Sequence, residues 1–263
     1  VRSTRLNMSI ITHKGGLLLG RQSDAIFSTN LAGEWRTSTG AAQTHYWVNQ
    51  TGGNALRKFN GISKTNSGSL HYWAPDGTND YLGVASSGYG GSPFTVNTNN
   101  AFTIASWYYH LSNLVHPFFS FPHSALPLSE LYLETGVAVA NKISLAPTVG
   151  VGVSTFDFTL VNAKWYYVAL TFDGTNKWTL FINGSFIGEA TQADGGNGAQ
   201  ALSVGALEVG FGAGLTYSSN NVRFSDVHVY TAALTNSQIR QNFLAGHDIN
   251  DYRHFGTSLG SVA

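Results

Sequence analysis

Residues 164–189 read KWYYVALTFDGTNKWTLFINGSFIGE, and the fold turns on how this stretch is read. From Trp165 to Phe172 the side chains alternate. Tyr166, Val168, Leu170 and Phe172 fall on one face and Trp165, Tyr167, Ala169 and Thr171 on the other, the period of a β-strand. Asp173-Gly174-Thr175-Asn176 then supplies four residues that tolerate turn or left-handed backbone, and a second alternating run, Trp178 to Ile182, follows at once. Asn183-Gly184 is a further turn signal ahead of Phe186. The stretch is predicted to be three strands of a meander.

Two other stretches belong with it. Asp76-Gly77-Thr78-Asn79-Asp80-Tyr81-Leu82 precedes Phe102-Thr103-Ile104-Ala105-Ser106-Trp107, and Phe224-Ser225-Asp226-Val227-His228-Val229-Tyr230 precedes Ala233-Leu234-Thr235. In residues and in order, these stretches and the meander resemble laminin-G-like domains of the concanavalin A-like lectin/glucanase superfamily. The resemblance implies an all-β chain: an antiparallel β-sandwich of jelly-roll (concanavalin A-like) type with one short C-terminal helix. The residues themselves place that helix at Asn236 to Ala245. Thr235 caps it, Gln238 completes a capping box, Ile239, Phe243 and Leu244 form an apolar stripe, and Gly246 is a stop signal. The chain accordingly divides into an N-terminal arm (1–24), a laminin-G-like sandwich (25–246) and a C-terminal tail (247–263).

Composition narrows the classes. Hydrophobic residues make up 43% of the 263, enough for a core, while charged residues are only 11%, so Ser, Thr, Asn and Gly must dress the surface. Such a surface fits an extracellular or particle-surface location. Lys plus Arg and Asp plus Glu number 14 each, so no global field draws the protein to nucleic acid or an anionic membrane. No run of about 18 apolar residues predicts a membrane span. With no Cys the redox compartment is undetermined and disulfides contribute nothing to stability.

The arm carries Arg2, Arg5, Lys14 and Arg21 against Asp24. Read plainly, it is a first strand and a loose terminus. Read functionally, it docks on a neighbouring subunit or meets a phosphate backbone, the one route to nucleic acid in the chain. Residues 114–128 hold Pro117, Pro122 and Pro127 with Phe118, Phe119 and Phe121, and the prolines predict a stiff loop rather than a paired strand. Exposed, the three phenylalanines form a partner surface; buried, they cover an end of the sandwich. Together with Arg2 and Arg5 they are the candidate interface residues, and the candidate partners are other subunits of a surface assembly.

The Asp76 to Asp80 turn is rich in side-chain oxygens. Asp76, Asn79 and Asp80 are candidate calcium ligands, since Ca²⁺ takes six to eight oxygens and some members of the resembling family place calcium near this turn. The competing reading is an ordinary Asx turn. Trp73, Tyr81 and Tyr89, close to it, are the candidate platform for a glycan, which needs flat aromatics and neutral hydrogen-bonding groups. Because the family resembled here includes hydrolases, catalysis needs its own test. The Glu-x-Asp-x-x-Glu run of its glucanases is missing, and Glu130 and Glu134 stand about 13 Å apart along a strand, too far to cooperate. The chain therefore reads as no enzyme. It is expected to be a non-catalytic structural, decoration or adhesion protein of a particle or cell surface, with glycan binding compatible. The alternatives are a soluble lectin module and, behind it, a glycoside hydrolase.

Overall fold

The computed structural model describes residues 12–13, 16–17, 26–36, 46–47, 50–51, 56–59, 62–67, 70–76, 80–83, 95–111, 116–122, 129–135, 140–146, 154–192, 199–208, 215–218 and 222–249. Alternating sequence becomes strand almost throughout. The N-terminal half holds β1 (Thr12–His13), β2 (Gly16–Leu17), β3 (Leu31–Trp35), β4 (Tyr46–Trp47), β5 (Leu56–Phe59), β6 (Ser63–Ser67), β7 (Leu70–Ala74), β8 (Tyr81–Gly83), β9 (Thr95–Asn97) and β10 (Phe102–His110). Next come β11 (His116–Pro122), β12 (Ser129–Thr135), β13 (Lys142–Ala146), β14 (Ser154–Thr159), β15 (Lys164–Phe172), β16 (Lys177–Ile182) and β17 (Ser185–Thr191). The last are β18 (Ala199–Ala201), β19 (Ser203–Val204), β20 (Ala206–Glu208), β21 (Leu215–Ser218), β22 (Val222–Tyr230) and one helix, α1 (Asn236–Ile249).

Two antiparallel sheets make the sandwich. The first runs β17-β16-β15-β10-β22-β7-β6, with β3 also on β22, and the second runs β14-β13-β12-β11-β19-β8-β5-β4. Between them lies one apolar core, to which the first sheet contributes Ile104, Tyr108, Tyr166, Leu170, Phe172, Trp178 and Leu180, and the second Leu82, Phe119, Phe121, Leu133 and Leu145. Phe172 and Trp178, directly opposite across β15 and β16, stack at 4.2 Å between ring centroids, and Phe102 meets Trp178 edge-on at 5.8 Å. Such pairs add to what burial alone contributes.

The meander forms as its pattern predicts, with β15, β16 and β17 adjacent. Asn183 and Gly184 make the second turn in left-handed backbone, φ +50° and +75°. A Cβ on Gly184 would also press on Phe243 of α1, at 3.2 Å. The capping box forms too: Thr235 N–H donates to Gln238 Oε1 at 2.8 Å and Gln238 N–H to Thr235 Oγ1 at 3.4 Å. The helix does not stop at Gly246 but runs on to Ile249. Gly246 serves a close approach instead, since a Cβ there would stand 2.5 Å from Trp107 Nε1.

The outer face of the first sheet carries a second apolar cluster, including Trp107, Trp165, Tyr167, Phe181, Tyr230, Leu234 and Ile239. Helix α1 lies over part of it, with Phe243 at 5.6 Å from the Trp107 ring. Buried Asn242 closes this packing: its Nδ2 donates to Tyr230 Oη at 2.9 Å and its Oδ1 accepts from Phe27 N–H at 2.7 Å.

The stiff loop predicted over 114–128 is corrected by the structure. Residues 116–122 are strand β11, paired with both β12 and β19. Pro117 and Pro122 sit where the β11–β12 register shifts, so the ladder loses little by their missing N–H groups. Phe118, Phe119 and Phe121 keep 4%, 3% and 0% of their surface and belong to the central core, so they form no exposed interface. Arg2 and Arg5, the other half of that expectation, lie outside the described residues.

Candidate functional site

The residues singled out around the Asp76 turn do not converge on a ligand surface. Trp73 and Tyr81 are buried, 0% and 4% exposed, and Trp73 packs in the central core. Neither offers a platform to solvent: Trp73 faces the opposite sheet, and Tyr81, next to core residue Leu82 on β8, is buried outside that core. Tyr89 and Asn79 lie outside the described residues. Asp80 Oδ2 accepts the N–H of Asp76, four residues earlier in the chain, at 3.0 Å. Its other oxygen, Oδ1, is buried without a hydrogen-bond partner, and burial together with the nearby Asp76 charge holds the carboxyl above its usual range despite that N–H. An orphaned carboxylate oxygen suits a cation, yet no group of three Asp, Glu, His or Cys able to hold a metal occurs among the described residues.

A better-formed concavity lies on the outer face of the first sheet, away from the second sheet. It is an open groove of about 380 Å³ between the β15–β16–β17 meander and the segment that leads into α1. Its floor follows from strand register. Thr103, Thr171, Thr179 and Glu189 stand opposite one another in turn across β10, β15, β16 and β17. Side chains paired in this way sit about 5 Å apart and point to one face.

The four members of this row do different things. Thr103 is saturated: Oγ1 donates to the Ala232 carbonyl at 2.7 Å and accepts the Leu234 N–H at 2.9 Å, which pins the segment forming the groove's far wall. Thr171 and Thr179 keep only 5% and 7% of their surface, line the groove, and have no hydrogen-bond partner for their hydroxyls among the described residues. Their hydroxyls open onto the groove rather than being sealed, so both can bond water or whatever enters. Glu189 pairs with Lys177 at 3.1 Å.

One residue pair further along, Phe181 and Phe186 oppose each other with rings 6.2 Å apart and nearly perpendicular. Phe181 is buried, whereas Phe186 is 51% exposed and forms an apolar lip. At the other end, Asp173 Oδ1 accepts the N–H groups of Lys177, Thr175 and Asn176 at 2.8 to 3.0 Å. These bonds, the one from Lys177 N–H foremost, outweigh the opposing effect of burial and hold its carboxyl below the usual carboxylate range.

Asp173 and Thr235 read in the sequence only as turn and cap, and Thr171, Thr179 and Phe186 read as ordinary strand residues, so none of them points to a groove. The signal available was register: closing both hairpins of the meander already aligns Thr171, Thr179 and Glu189.

Fold and groove together define a lectin-like β-sandwich. A laminin-G family model, described as the Concanavalin A-like lectin/glucanases superfamily, matches residues 76–240, and the chain belongs to that superfamily. Curated proteins show no significant sequence match to it. Among solved structures it is similar to Trypanosoma rangeli sialidase in complex with sialic acid, at 15% identity and TM-score 0.61, over 86% of this chain and 34% of the sialidase. It is also similar to botulinum neurotoxin type C, described as dependent for cell entry on interaction with two ganglioside molecules, at 13% identity and TM-score 0.56, over 82% of this chain and 51% of the toxin chain. The binding domain of botulinum neurotoxin DC in complex with rat synaptotagmin II gives 11% identity and TM-score 0.57, over 82% and 51%. The chain thus spans about a third of the sialidase and half of the toxin chains, and at such identities the likeness is one of fold. No helix among the described residues is long and apolar enough to cross a membrane.

Proposed function

We propose that this chain is a non-catalytic adhesion or decoration protein of a cell or particle surface, and that it holds a glycan in the groove over Thr171 and Thr179. The observation that carries the reading is the meeting of two unbonded, nearly buried hydroxyls with an exposed aromatic lip, Phe186, in one open concavity. Hydroxyl-rich, ring-shaped ligands need that combination of apolar face and neutral hydrogen-bonding groups. The solved structures it resembles in fold include a sialidase in complex with sialic acid and a toxin whose cell entry depends on two ganglioside molecules, which supports sugar binding as a class without naming a sugar for this groove.

The non-catalytic part rests on the carboxylates of the groove. Glycoside hydrolysis needs one carboxyl kept protonated as general acid. Asp173 is held ionised by three backbone N–H groups, and Glu189 is committed to Lys177. Calcium belongs to the proposal at the Asp76–Asp80 turn, where Asp80 Oδ1 has no hydrogen-bond partner and Asp76 and Asn79 are the other ligands that the sequence suggests.

A glycan array probed with the native chain and with F186A tests the main reading. We expect hits that F186A loses; an empty array, or the same hits in both proteins, overturns it. Calcium is expected to raise the melting temperature of the native chain and not of D80N, and an unchanged melting temperature removes the ion. For the surface role, light scattering of the full chain and of one lacking residues 1–24 should show an assembly that falls to monomers on truncation. A full-length monomer removes the subunit role.

A further inference from the structure

We infer that the groove is selective for an uncharged hexose and turns away sugars that carry a carboxylate, an inference that rests on the glycan-binding reading above. Three observations lead to it. The first is the charge of the lining. Asp173, Lys177 and Glu189 are its ionisable groups, and together they carry one net negative charge. The only cation among them, Lys177, already has its ammonium on Glu189 at 3.1 Å, so no unpaired positive group waits for an acid.

The second concerns the helix. The N-terminus of α1 borders the groove at Thr235 and Asn236, and a helix start ordinarily attracts anions through its free N–H groups. Here the capping box occupies that position. Thr235 Oγ1 takes the Gln238 N–H, and Gln238 Oε1 takes the Thr235 N–H. The protein's own neutral side chains thus take up part of the hydrogen-bonding capacity that an anion would use at this helix start.

The third is the match of donors and acceptors. A threonine hydroxyl donates one hydrogen bond and accepts others, as a sugar hydroxyl does, whereas a carboxylate only accepts. Thr171 and Thr179, opposite one another and unbonded, can each exchange both kinds of bond with the hydroxyls of one ring. Glu189 adds acceptor capacity at the end of the row, which again suits hydroxyl donors and repels a carboxylate. Phe186 gives the apolar face of the ring a surface to cover, and a volume of about 380 Å³ is at the lower end of small-ligand sites, fit for a short saccharide.

The test is titration of the native chain, T171V/T179V, F186A and E189Q. The probes are methyl glycosides of glucose, galactose and mannose, with N-acetylneuraminic acid and glucuronic acid as charged counterparts, followed by ligand-observed NMR. At least one neutral glycoside should bind, with affinity reduced at least tenfold in T171V/T179V and in F186A, while neither acid binds the native chain. E189Q, which frees Lys177, should gain measurable binding of an acid. An acid that binds the native chain as tightly as any neutral glycoside, or an E189Q chain that still refuses both acids, overturns the selectivity and leaves the groove as a glycan site. Absence of binding by every probe, or binding unmoved by both T171V/T179V and F186A, overturns the groove reading and this inference with it.

Discussion

The two faces of the first sheet are built from alternate residues of the same strands. The inner face of β10, β15 and β16 is mostly apolar, with Phe102, Phe172, Trp178 and Leu180 closing against the second sheet and Ser106 and His110 as its polar members on β10. The outer face mixes large aromatics with polar atoms, and each polar atom has to be settled individually. Thr103 clamps the segment before α1, Ser225 Oγ donates to the His71 carbonyl at 3.0 Å, and Asn242 joins Tyr230 to Phe27. Where α1 and its leading segment cover the sheet, those partners come from the chain. Beyond them, at Thr171 and Thr179, the hydroxyls are left to the groove. The inner face gains stability from area, and the outer face gains specificity from individual bonds.

The largest expected effect is on the inner face. Trp178→Ala removes a ring that is fully buried, stacked on Phe172 and bonded through Nε1 to the Gln192 carbonyl at 3.0 Å. A loss of about 3–5 kcal/mol in denaturant unfolding is expected. Asn242→Ala probes the outer face. It strips partners from the Tyr230 hydroxyl and the Phe27 N–H, and should cost about 2–3 kcal/mol while leaving the cooperativity of unfolding unchanged. If its cost matches that of Trp178→Ala, the contrast between the faces fails.

The smallest effect is on acid stability. Glu34 lies on β3, with Arg36 Nε at 2.5 Å and His228 Nε2 at 3.6 Å, and Tyr230 nearby. Burial alone would raise its carboxyl, but these two bases outweigh burial and hold it below the usual range. A depressed carboxyl contributes stability above the unfolded value, about 4.3, that is lost as pH falls through the folded one. Asp173 adds the same sign at the surface, whereas Asp80, raised, has the opposite one. Glu34→Gln should therefore flatten the acid limb by under about 1 kcal/mol, and an unchanged limb in a pH series of melts would remove Glu34 from the account.

How much could be read from the sequence depended on how far apart the partners lie. The meander and the capping box are written within a few residues of each other, and both form as read. Strand β11 was hidden, because proline argues against pairing unless it falls at a shift in register, and only the positions of β12 and β19 reveal such shifts. Trp73 illustrates a second limit: alternation says that two faces exist but not which of them meets the other sheet. The groove marks a third. Its floor is legible in the meander, but its wall comes from residues 233–236, some fifty positions later, held by a threonine on β10.

The place of β10 also governs how the molecule is made. It lies between β15 and β22, so one of its edges is paired by residues up to 172 and the other by residues up to 230. During synthesis, a nine-residue strand with a strongly aromatic sequence keeps one edge open until more than a hundred further residues have emerged. Closure over such distances is slow, and an open apolar edge is what other nascent chains pair with. The strand at the centre of the finished sheet is thus completed only when one of the last strands of the chain arrives.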